Sequence, residues 1–306
     1  MPIPTVSIVI PTFRRPNELR RSLHSCIVQK SAWPMEIVVV DNDRAPSARG
    51  LVVRMSNSAP VAVRYVHEPA PGIAAARNTG ADAAKGNWVA FVDDDNILAG
   101  DWLVQMIRAL EEGHFDAVFG AIDAVFESKK PRHWKALHVS LSRQLAIPEG
   151  QIPRSSIPRL GAGCSIFRRA DLCRLRFDDQ FGLSGGEDSD LIQKLCNTGA
   201  KMGWAPTAHA TEIIPESRCE LKFLLKRRFG AGQIRTCLEA RQNDVGSTKQ
   251  AALWMALGAG QVGVATARVG VAAVRGTDAG APLADVAAGL GKILWWKRLQ
   301  RYGGDR

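Results

Sequence analysis

The sequence predicts an α/β fold in which a mostly parallel sheet is flanked by helices and followed by a helical C-terminal appendage. Between residues 6 and 121, short apolar runs alternate with helix-like stretches, as in proteins built around parallel sheets. Two of the runs, EIVVV at 36–40 and WVAFV at 88–92, are almost entirely apolar, which is typical of strands buried on both faces. Farther along, residues 251–274 are dominated by Ala, Gly and Val, which marks a change in composition.

The individual elements follow from these patterns in chain order. Strands are predicted at 6–10, 36–40, 61–66, 88–92 and 117–121, and helices at 16–28, 46–55, 72–84 and 101–112. The polar, proline-containing stretch 127–159 has no clear period, and we expect a long excursion with one short helix; such loops are often functional lids. Later elements are a return to the sheet at 163–167, helices at 188–196 and 221–241, and an amphipathic segment at 283–299.

The chain has 306 residues and a net charge of +10. This length allows one large domain with an appendage, and we place the boundary between a domain of residues 1–245 and a helical segment of 246–306. Basic residues cluster in 222–241 and 292–306, which favours a local patch over an evenly charged surface. Such a patch can bind nucleic acid, an anionic membrane face or a phosphorylated substrate, or it can be a solvated surface.

The six cysteines do not indicate a metal or redox site, because no two of them have CxxC spacing. The N-terminal residues, MPIPTVSIVIPTF, lack the basic start and long apolar run of a signal peptide. We therefore expect a cytoplasmic protein with reduced thiols.

Acidic residues follow two of the predicted strands. The second strand runs into Asp41-Asn42-Asp43, and the fourth runs into Asp93-Asp94-Asp95. Ligands of open parallel sheets bind beyond the carboxyl ends of the strands. Three consecutive acids repel one another unless a cation or strong donors offset their charge, and hard carboxylate oxygens suit Mg²⁺ or Mn²⁺. A solvated turn that caps the next helix is the alternative reading of this cluster.

Two common nucleotide-binding classes are excluded by the residues after the first strand. A dinucleotide-binding dehydrogenase would have GxGxxG there, whereas this chain has PTFRRP at 11–16. The P-loop pattern is also absent. A nucleotidyltransferase on a similar sheet and a non-catalytic carbohydrate or nucleotide binder both stay open. Nucleic acid is not an expected partner, because the chain lacks the interleaved aromatic and basic residues of single-strand binders.

Five segments in a fixed order carry a resemblance to a known family. The segments are VSIVIPTFRRP, EIVVVDND, PGIAAARNTG, WVAFVDDD and SGGEDSDL. Over roughly residues 5–235 the chain resembles family 2 glycosyltransferases, whose GT-A fold contains a Rossmann-like sheet. The SGGED run and the later PESR, KRRF and GQ segments are most similar to the glucosyltransferases of bacterial succinoglycan-type exopolysaccharide assembly.

The resemblance implies a donor site that binds a nucleotide-diphosphate sugar. It places Asp41 near the base, Arg77 on the base or the diphosphate, and Asp93 on the ribose or on a Mg²⁺ or Mn²⁺ ion. Asp93 and Asp95 would be the metal ligands, with Asp94 at the variable position between them. The implied contacts to the nucleotide sugar are made by Pro11, Thr12, Arg14, Asp41, Arg77, Asp93, Asp94 and Glu187.

The second acidic cluster, which begins at Glu187, follows Ser184-Gly185-Gly186. Two glycines permit a close backbone approach, and a helix N-terminus favours charged carboxylates. The resemblance assigns the catalytic base to Asp188; the alternative is an ordinary helix cap. Many relatives have a His some twenty residues later, at the position of Glu212 in this chain, and His209 lies nearby. Whether Glu212 or His209 is a third metal ligand stays open.

The resemblance also implies an inverting transfer to a saccharide acceptor. In such enzymes the acceptor sugar is often linked to a lipid diphosphate. Arg218, Arg227 and Arg228 are candidates for binding phosphate of the donor or the acceptor, with a solvated helix face as the alternative. Trp295 and Trp296 precede Lys297-Arg298, as in interfacial membrane anchors. We expect peripheral association with the inner face of the plasma membrane; packing of 251–296 on the domain is the alternative.

Overall fold

The computed structural model describes residues 5–241 and 247–300. They form two compact units: one contains the chain up to Asp123 together with Arg143–Glu212, and the other contains Ala124–Ser142 and the chain from Ile213 onward. The predicted boundary at 245/246 falls on residues 242–246, outside the described residues, and stays a prediction. Arg301 to Arg306, which contribute to the basic cluster at 292–306, also lie outside them.

A single mixed sheet organises the first unit, and its order across the described strands is β3-β2-β1-β4-β8-β6-β9-β5, with β7 paired to β9. Strands β1 to β4 form parallel pairs, whereas β8 runs antiparallel to both β4 and β6, and β5 runs antiparallel to β9. The predicted parallel sheet is confirmed in strands β3-β2-β1-β4, and antiparallel pairs extend it beyond β4. The strands are β1 Val6–Thr12, β2 Met35–Asp41, β3 Ala62–His67, β4 Trp88–Phe91, β5 Asn96–Leu98, β6 Ala117–Phe126, β7 Gly150–Gln151, β8 Ser165–Arg168 and β9 Met202–Ile214.

Helices cover both faces of this sheet, as the apolar strands require. One core packs α1, α2 and α4 against side chains such as Ile8 and Ile10, and the other packs α3, α6 and α7 against side chains such as Val9. Because successive residues of β1 point to opposite faces, the strand is buried at every position. The helices are α1 Pro16–Ile27, α2 Arg49–Ser56, α3 Ile73–Ala83, α4 Trp102–Gly113, α5 Trp134–Leu141, α6 Arg169–Leu175, α7 Glu187–Asn197, α8 Leu221–Arg241, α9 Ser247–Val274 and α10 Gly280–Ile293.

The largest differences from the sequence expectations lie after β6. The excursion predicted at 127–159 contains α5 and β7 together with a 3₁₀ segment at Arg154–Arg159. Strand β9 was not predicted, because its sequence MGWAPTAHATEII contains a proline and several polar residues. Its pairing with β5 and β7 supplies the contacts that the local sequence does not reveal.

The second unit contains α5 and the packed helices α8, α9 and α10. Glycines set the close approach of these helices: a Cβ atom on Gly291 would meet the backbone of Phe229 in α8, and one on Gly258 of α9 would lie 2.8 Å from the Gly289 carbonyl oxygen. Within the described residues, α9 is the one helix that is long and apolar enough to cross a membrane, judged by length and composition alone.

Candidate active site

The carboxyl ends of β1 and β4 meet at one edge of the sheet and bring polar side chains together there. Thr12 Oγ1 donates a hydrogen bond of 2.9 Å to Asp94 Oδ2. The Arg15 guanidinium, in the loop after β1, lies 3.1 Å from Asp94 Oδ1 and 3.1 Å from Asp95 Oδ2. Arg15 was not among the predicted site residues; the signal available in the sequence was its position directly after the first strand.

The three consecutive acids occupy different environments. The Asp94 side chain is 8% exposed, whereas that of Asp93 is 37% exposed. The pKa of Asp94 is raised to about 7, mainly by burial and also by the charge of Asp95, while Arg15 opposes the rise. Asp94 therefore faces the protein interior and holds the loops together, and Asp93 is the more open of these two carboxylates.

Arg77, on α3, joins the strand-end acids to the start of α7. Its guanidinium is buried and donates hydrogen bonds to Glu187 Oε1 and, over 3.1 Å, to Asp93 Oδ1. The guanidinium carbon also lies 5.6 Å from the centre of the Phe177 ring. The structure thus brings together three residues that the sequence predicted for the donor site.

Glu187 is a buried acid with unusual titration behaviour. The pKa of Glu187 is raised to about 7, mainly by burial and also by the charge of Asp188, while Arg77 opposes the rise. Its second oxygen, Oε2, accepts no hydrogen bond from the described residues. Since buried oxygens normally have a partner, this atom marks a polar position that a ligand can satisfy.

Asp188 follows a backbone turn that needs glycine. Gly185 has φ of 78° and Gly186 has φ of 107°, a region that side-chain-bearing residues rarely adopt. The turn directs Glu187 inward and leaves the Asp188 side chain partly exposed. Asp188 Oδ1 accepts a hydrogen bond of 2.7 Å from the backbone N–H of Ser189. The carboxylate lies in the first turn of α7.

A buried arginine that the sequence analysis missed shapes the wall of this site. Arg143 donates hydrogen bonds of 2.6–2.8 Å to the carbonyl oxygens of Gly120, Gly161, Gly163 and Cys164. It lies in the aperiodic stretch 127–159, where nothing in the local sequence separates it from a surface arginine. Three of these bonds go to the turn at 161–164 and the fourth goes to Gly120 in β6, which makes Arg143 a positioning residue for that turn.

That loop touches both acidic clusters. A Cβ atom on Gly163 would lie 2.2 Å from Asp93 Oδ2, and one on Gly161 would lie 3.0 Å from Asp188 Oδ2. The two carboxylates are therefore packed against the same four-residue turn. No side chain larger than hydrogen fits at 163 unless Asp93 moves.

Other predicted donor-site residues engage in contacts within the chain. Asp41 is fully buried and accepts hydrogen bonds from the Ala48 N–H over 2.7 Å and from the Tyr65 hydroxyl over 2.9 Å. Arg14 pairs with Asp43 through two bonds of 2.9 and 3.0 Å, and this pairing lowers the pKa of Asp43. Pro11 is buried inside β1. These contacts hold the loops after β1 and β2 in place, and the nucleotide-binding roles stay predictions.

The pairing register separates the two candidates for a further metal ligand. Glu212 lies opposite Asn96, which directly follows Asp95, whereas Ala210 is already opposite Leu98 at the far end of β5. His209 lies beyond that pair and accepts a hydrogen bond from the Ala99 N–H through its backbone oxygen. Glu212 is thus the candidate nearer in register to the acids.

The predicted phosphate-binding arginines lie in the second unit. Arg218 ends a short 3₁₀ segment before α8. Arg227 donates from Nε to the Ser140 carbonyl oxygen over 3.1 Å, and Arg228 lies 3.2 Å from Asp285. Their predicted role in binding phosphate stays a prediction.

Comparison with known proteins assigns the chain to a protein family. The profile described as glycosyl transferase family 2 matches residues 7–175, more than half of the chain. The chain belongs to this family. It is therefore a glycosyltransferase, rather than the nucleotidyltransferase or the non-catalytic binder that the sequence left open.

Relatives and solved structures agree with this assignment. The glycosyltransferase is 34% identical to the succinoglycan biosynthesis protein ExoM of Rhizobium meliloti over 235 residues, which is 74% of this chain and 73% of ExoM. The mannosyltransferase PcManGT of Pyrobaculum calidifontis, solved with GDP-Man and Mn²⁺, is similar with a TM-score of 0.65 and 21% identity over 96% of this chain and 88% of that one. TarS 1-349 of S. aureus with UDP-GlcNAc has a TM-score of 0.57 and 17% identity, and the match covers 81% of this chain and 69% of that one. These structures confirm the predicted GT-A fold.

The acids of the glycosyltransferase fit a divalent cation that is shared with a substrate. Among the residues that the structure describes, no group of three or more His, Cys, Asp or Glu side chains could hold a metal ion. Mg²⁺ is commonly bound through only one or two carboxylates, with the remaining positions taken by substrate phosphates and water. Asp93 and Asp95 offer such oxygens, and the buried Glu187 Oε2 adds an unsatisfied one. Arg15 and Arg77 offset only part of the charge of the nearby acids.

Replacing Gly163 by Ala tests the packing of Asp93. The new methyl group must push the Asp93 carboxylate aside by more than an ångström, and misplacement on that scale costs about 10²-fold in turnover. We expect a loss of that order in donor turnover, measured as released nucleotide diphosphate. Gly100→Ala is the matched control, because no atom lies within 4 Å of its added Cβ. Equal activity of the two variants would show that Asp93 does not need this position.

Replacing Glu187 by Gln tests the raised pKa. Because the pKa of Glu187 rises from 4.5 to about 7 on folding, the folded chain keeps a proton that the unfolded chain releases between these values. The contribution to stability is therefore present below pH 4.5 and lost as the pH rises through 7. In urea unfolding with EDTA at pH 5 and pH 8, the free energy of unfolding should fall less in Glu187→Gln than in the wild type. Equal falls would contradict the assignment.

Proposed function

We propose that this glycosyltransferase moves a sugar from a nucleotide-diphosphate sugar, preferably a UDP-sugar, to a saccharide acceptor carried on a lipid diphosphate. The reaction inverts the anomeric centre and serves exopolysaccharide or cell-surface glycan assembly. The observation that carries the proposal is the bridge from Asp93 through Arg77 to Glu187, which brings the strand-end acids to the first turn of α7 where Asp188 lies. The similarity to ExoM supports a role in exopolysaccharide assembly, and the similarity to TarS and PcManGT supports a nucleotide-sugar donor.

The donor would lie at the carboxyl ends of β1, β2 and β4. Thr12 and Asp41 end two of these strands, and Asp93 follows the third. Asp93 and Asp95 would hold a Mg²⁺ or Mn²⁺ ion, which when bound neutralises charge on the diphosphate leaving group. Arg77 stays paired with Asp93 and Glu187, and it fixes both acids at the edge of the donor site.

Asp188 would act on the acceptor. Its Oδ1 accepts a hydrogen bond from the Ser189 N–H, whereas its Oδ2 lies near Gly161 in the loop at 161–164. The acceptor hydroxyl loses its proton to Asp188 as its oxygen bonds to the anomeric carbon. The bond from that carbon to the diphosphate breaks on the opposite side, which inverts the centre. The proton leaves Asp188 to solvent after the product departs.

The acceptor and the location of the enzyme are proposed from the second unit. Arg218, Arg227 and Arg228 would bind phosphate on the acceptor or the donor, and the ion pair of Arg228 with Asp285 would then have to open. Trp295 and Trp296, followed by Lys297 and Arg298, would attach the chain peripherally to the inner face of the plasma membrane.

Removing divalent cations tests the donor site. We expect the wild type to release nucleotide diphosphate from one member of a donor panel when Mn²⁺ or Mg²⁺ is present, and to lose this activity in EDTA. Titration calorimetry of UDP with and without Mn²⁺ measures binding separately from turnover. Asp93→Asn should bind UDP equally with and without Mn²⁺, whereas Asp116→Asn, a surface control paired with Arg168, should keep the metal dependence. Equal UDP affinity of the wild type in EDTA would refute the metal site.

A further inference from the structure

The outer face of α9 is apolar from residue 252 to residue 265, and the exposed Arg268 follows on the same side of the helix. The helix packs on α10 and α8 through one stripe, which includes Ala251, Ala265 and Ala272. On the outer side lie exposed large apolar side chains, spaced by four, seven and seven residues so that they share one face of the helix. These side chains are Leu253, Leu257, Val264 and Val271.

This row of exposed apolar side chains is the opposite of what a helix with a solvent-exposed outer face carries. A surface helix of a globular protein carries charged and polar residues on its exposed side. In α9, every exposed residue from 252 to 265 is Ala, Gly, Leu or Val. Only 17% of the apolar window in Thr248–Val274 is buried inside the protein. A continuous exposed apolar surface of this kind indicates contact with a lipid or protein partner.

The charges around the helix favour an anionic partner. Lys249 lies near the start of α9, and Arg268 and Arg275 lie near its end. Residues 247–300 contain six Lys and Arg residues against two Asp and Glu residues, a net charge of +4. A lipid surface with anionic headgroups complements both properties, because it offers hydrocarbon to the leucines and valines and negative charge to the flanking cations.

The packing of α9 shows how it can meet a bilayer. Along its inner stripe, Gln261 donates to the Asp285 carbonyl oxygen over 3.0 Å and accepts from Lys292 Nζ over 2.8 Å. Arg268 also pairs with the Asp285 carboxylate over 3.1 Å. A helix that crossed the membrane would carry this polar layer of α10 into hydrocarbon, at a high cost in free energy. An orientation in the membrane plane immerses only the outer face.

We propose that α9 is an in-plane membrane helix whose outer face, formed by Leu253, Leu257, Val264 and Val271, enters the interface of an anionic bilayer. The inference rests on the peripheral membrane association proposed above, and it moves the main contact from the Trp295-Trp296 end to the face of α9. It is independent of the donor and acceptor sugars.

The test uses the full-length protein and vesicles of phosphatidylcholine with about 30% phosphatidylglycerol, in a co-sedimentation assay. Val264→Glu puts a charge into the centre of the face, and we expect the partition coefficient to fall on the order of tenfold. Val139→Glu on α5 is the matched control, because Val139 is 71% exposed and Val264 is 66% exposed. The control should bind vesicles as the wild type does. Val271→Glu should repeat the effect of Val264→Glu at a second position.

The outcomes separate this inference from its rivals. Binding that is unchanged in Val264→Glu and Val271→Glu, and that disappears in high salt, would assign the contact to the basic end and overturn the α9 proposal. A wild-type dimer that Val264→Glu converts to a monomer, with vesicle binding unchanged, would show that a second copy covers the face. Donor hydrolysis should be equal in all these variants. Loss of hydrolysis in Asp188→Asn with normal vesicle binding would concern only the proposed chemistry.

Discussion

Replacing Asp188 by Asn is expected to lower the rate of sugar transfer by about 10²–10⁴-fold, because general-base catalysis typically contributes that much. The amide cannot take a proton from the acceptor hydroxyl, but it keeps the size of the side chain and can still accept a hydrogen bond from the Ser189 N–H. The affinity for the donor nucleotide should therefore stay within a few-fold of the wild type. Transfer to a lipid extract with a radiolabelled donor measures the rate, and calorimetry with UDP measures the affinity.

Asp190→Asn is the matched control for this experiment. Asp190 lies in the same first turn of α7 and receives the same chemical change, but it pairs with Lys194 over 2.7 Å along the helix. We expect near wild-type transfer from this variant. If Asp188→Asn transfers sugar at the rate of Asp190→Asn, Asp188 is not the base and the catalytic assignment is wrong.

Replacing Arg77 by Met is expected to destabilise the fold by about 3–5 kcal/mol, because it leaves two acids without their buried cation. Glu187 is fully enclosed, and Asp93 would lose the bond that fixes it beside Gly163. The loss should be smaller at pH 5 than at pH 8, since the protonated form of Glu187 dominates below its raised pKa of about 7. Urea unfolding of the purified variant at both pH values measures the change in free energy.

A surface ion pair gives the control for Arg77. Arg176 pairs with Asp82, and both side chains are substantially exposed, so Arg176→Met should cost at most about 1 kcal/mol. The double variant Arg77→Met/Glu187→Gln should recover part of the stability lost in Arg77→Met, because the buried negative charge is gone. No recovery, together with a small loss in the single variant, would show that the pair is not a structural bridge.

Local signals in the sequence were sufficient for most of the sheet and for the places where its chemistry lies. The apolar runs that form β1, β2 and β4 are buried on both faces, and a strand of that kind can be identified from its composition alone. The acids at 93–95 follow directly from the end of one strand, and Gly185-Gly186 mark the turn before Glu187 and Asp188. Each of these signals spans only a few residues.

The strands with mixed composition could not be predicted in the same way. Strand β9 is only partly buried at several positions and contains Pro206, so neither period nor propensity identifies it. Its existence depends on β5, β6 and β7 as pairing partners, which are distant in sequence. The same pairing decides that Glu212, rather than His209, lies opposite Asn96 beside the acids.

The sequence by itself determined the α/β class, the family and the two acidic clusters, because these depend on short contiguous patterns. Only the tertiary structure decided how the clusters combine: Arg77 reaches Glu187 across 110 residues of chain, and Arg143 fixes the turn whose Gly163 packs against Asp93. It also decided that α9 buries one stripe and exposes an apolar face. The physical reason is that charge pairing and burial depend on which side chains the fold places together, and no local pattern carries that information.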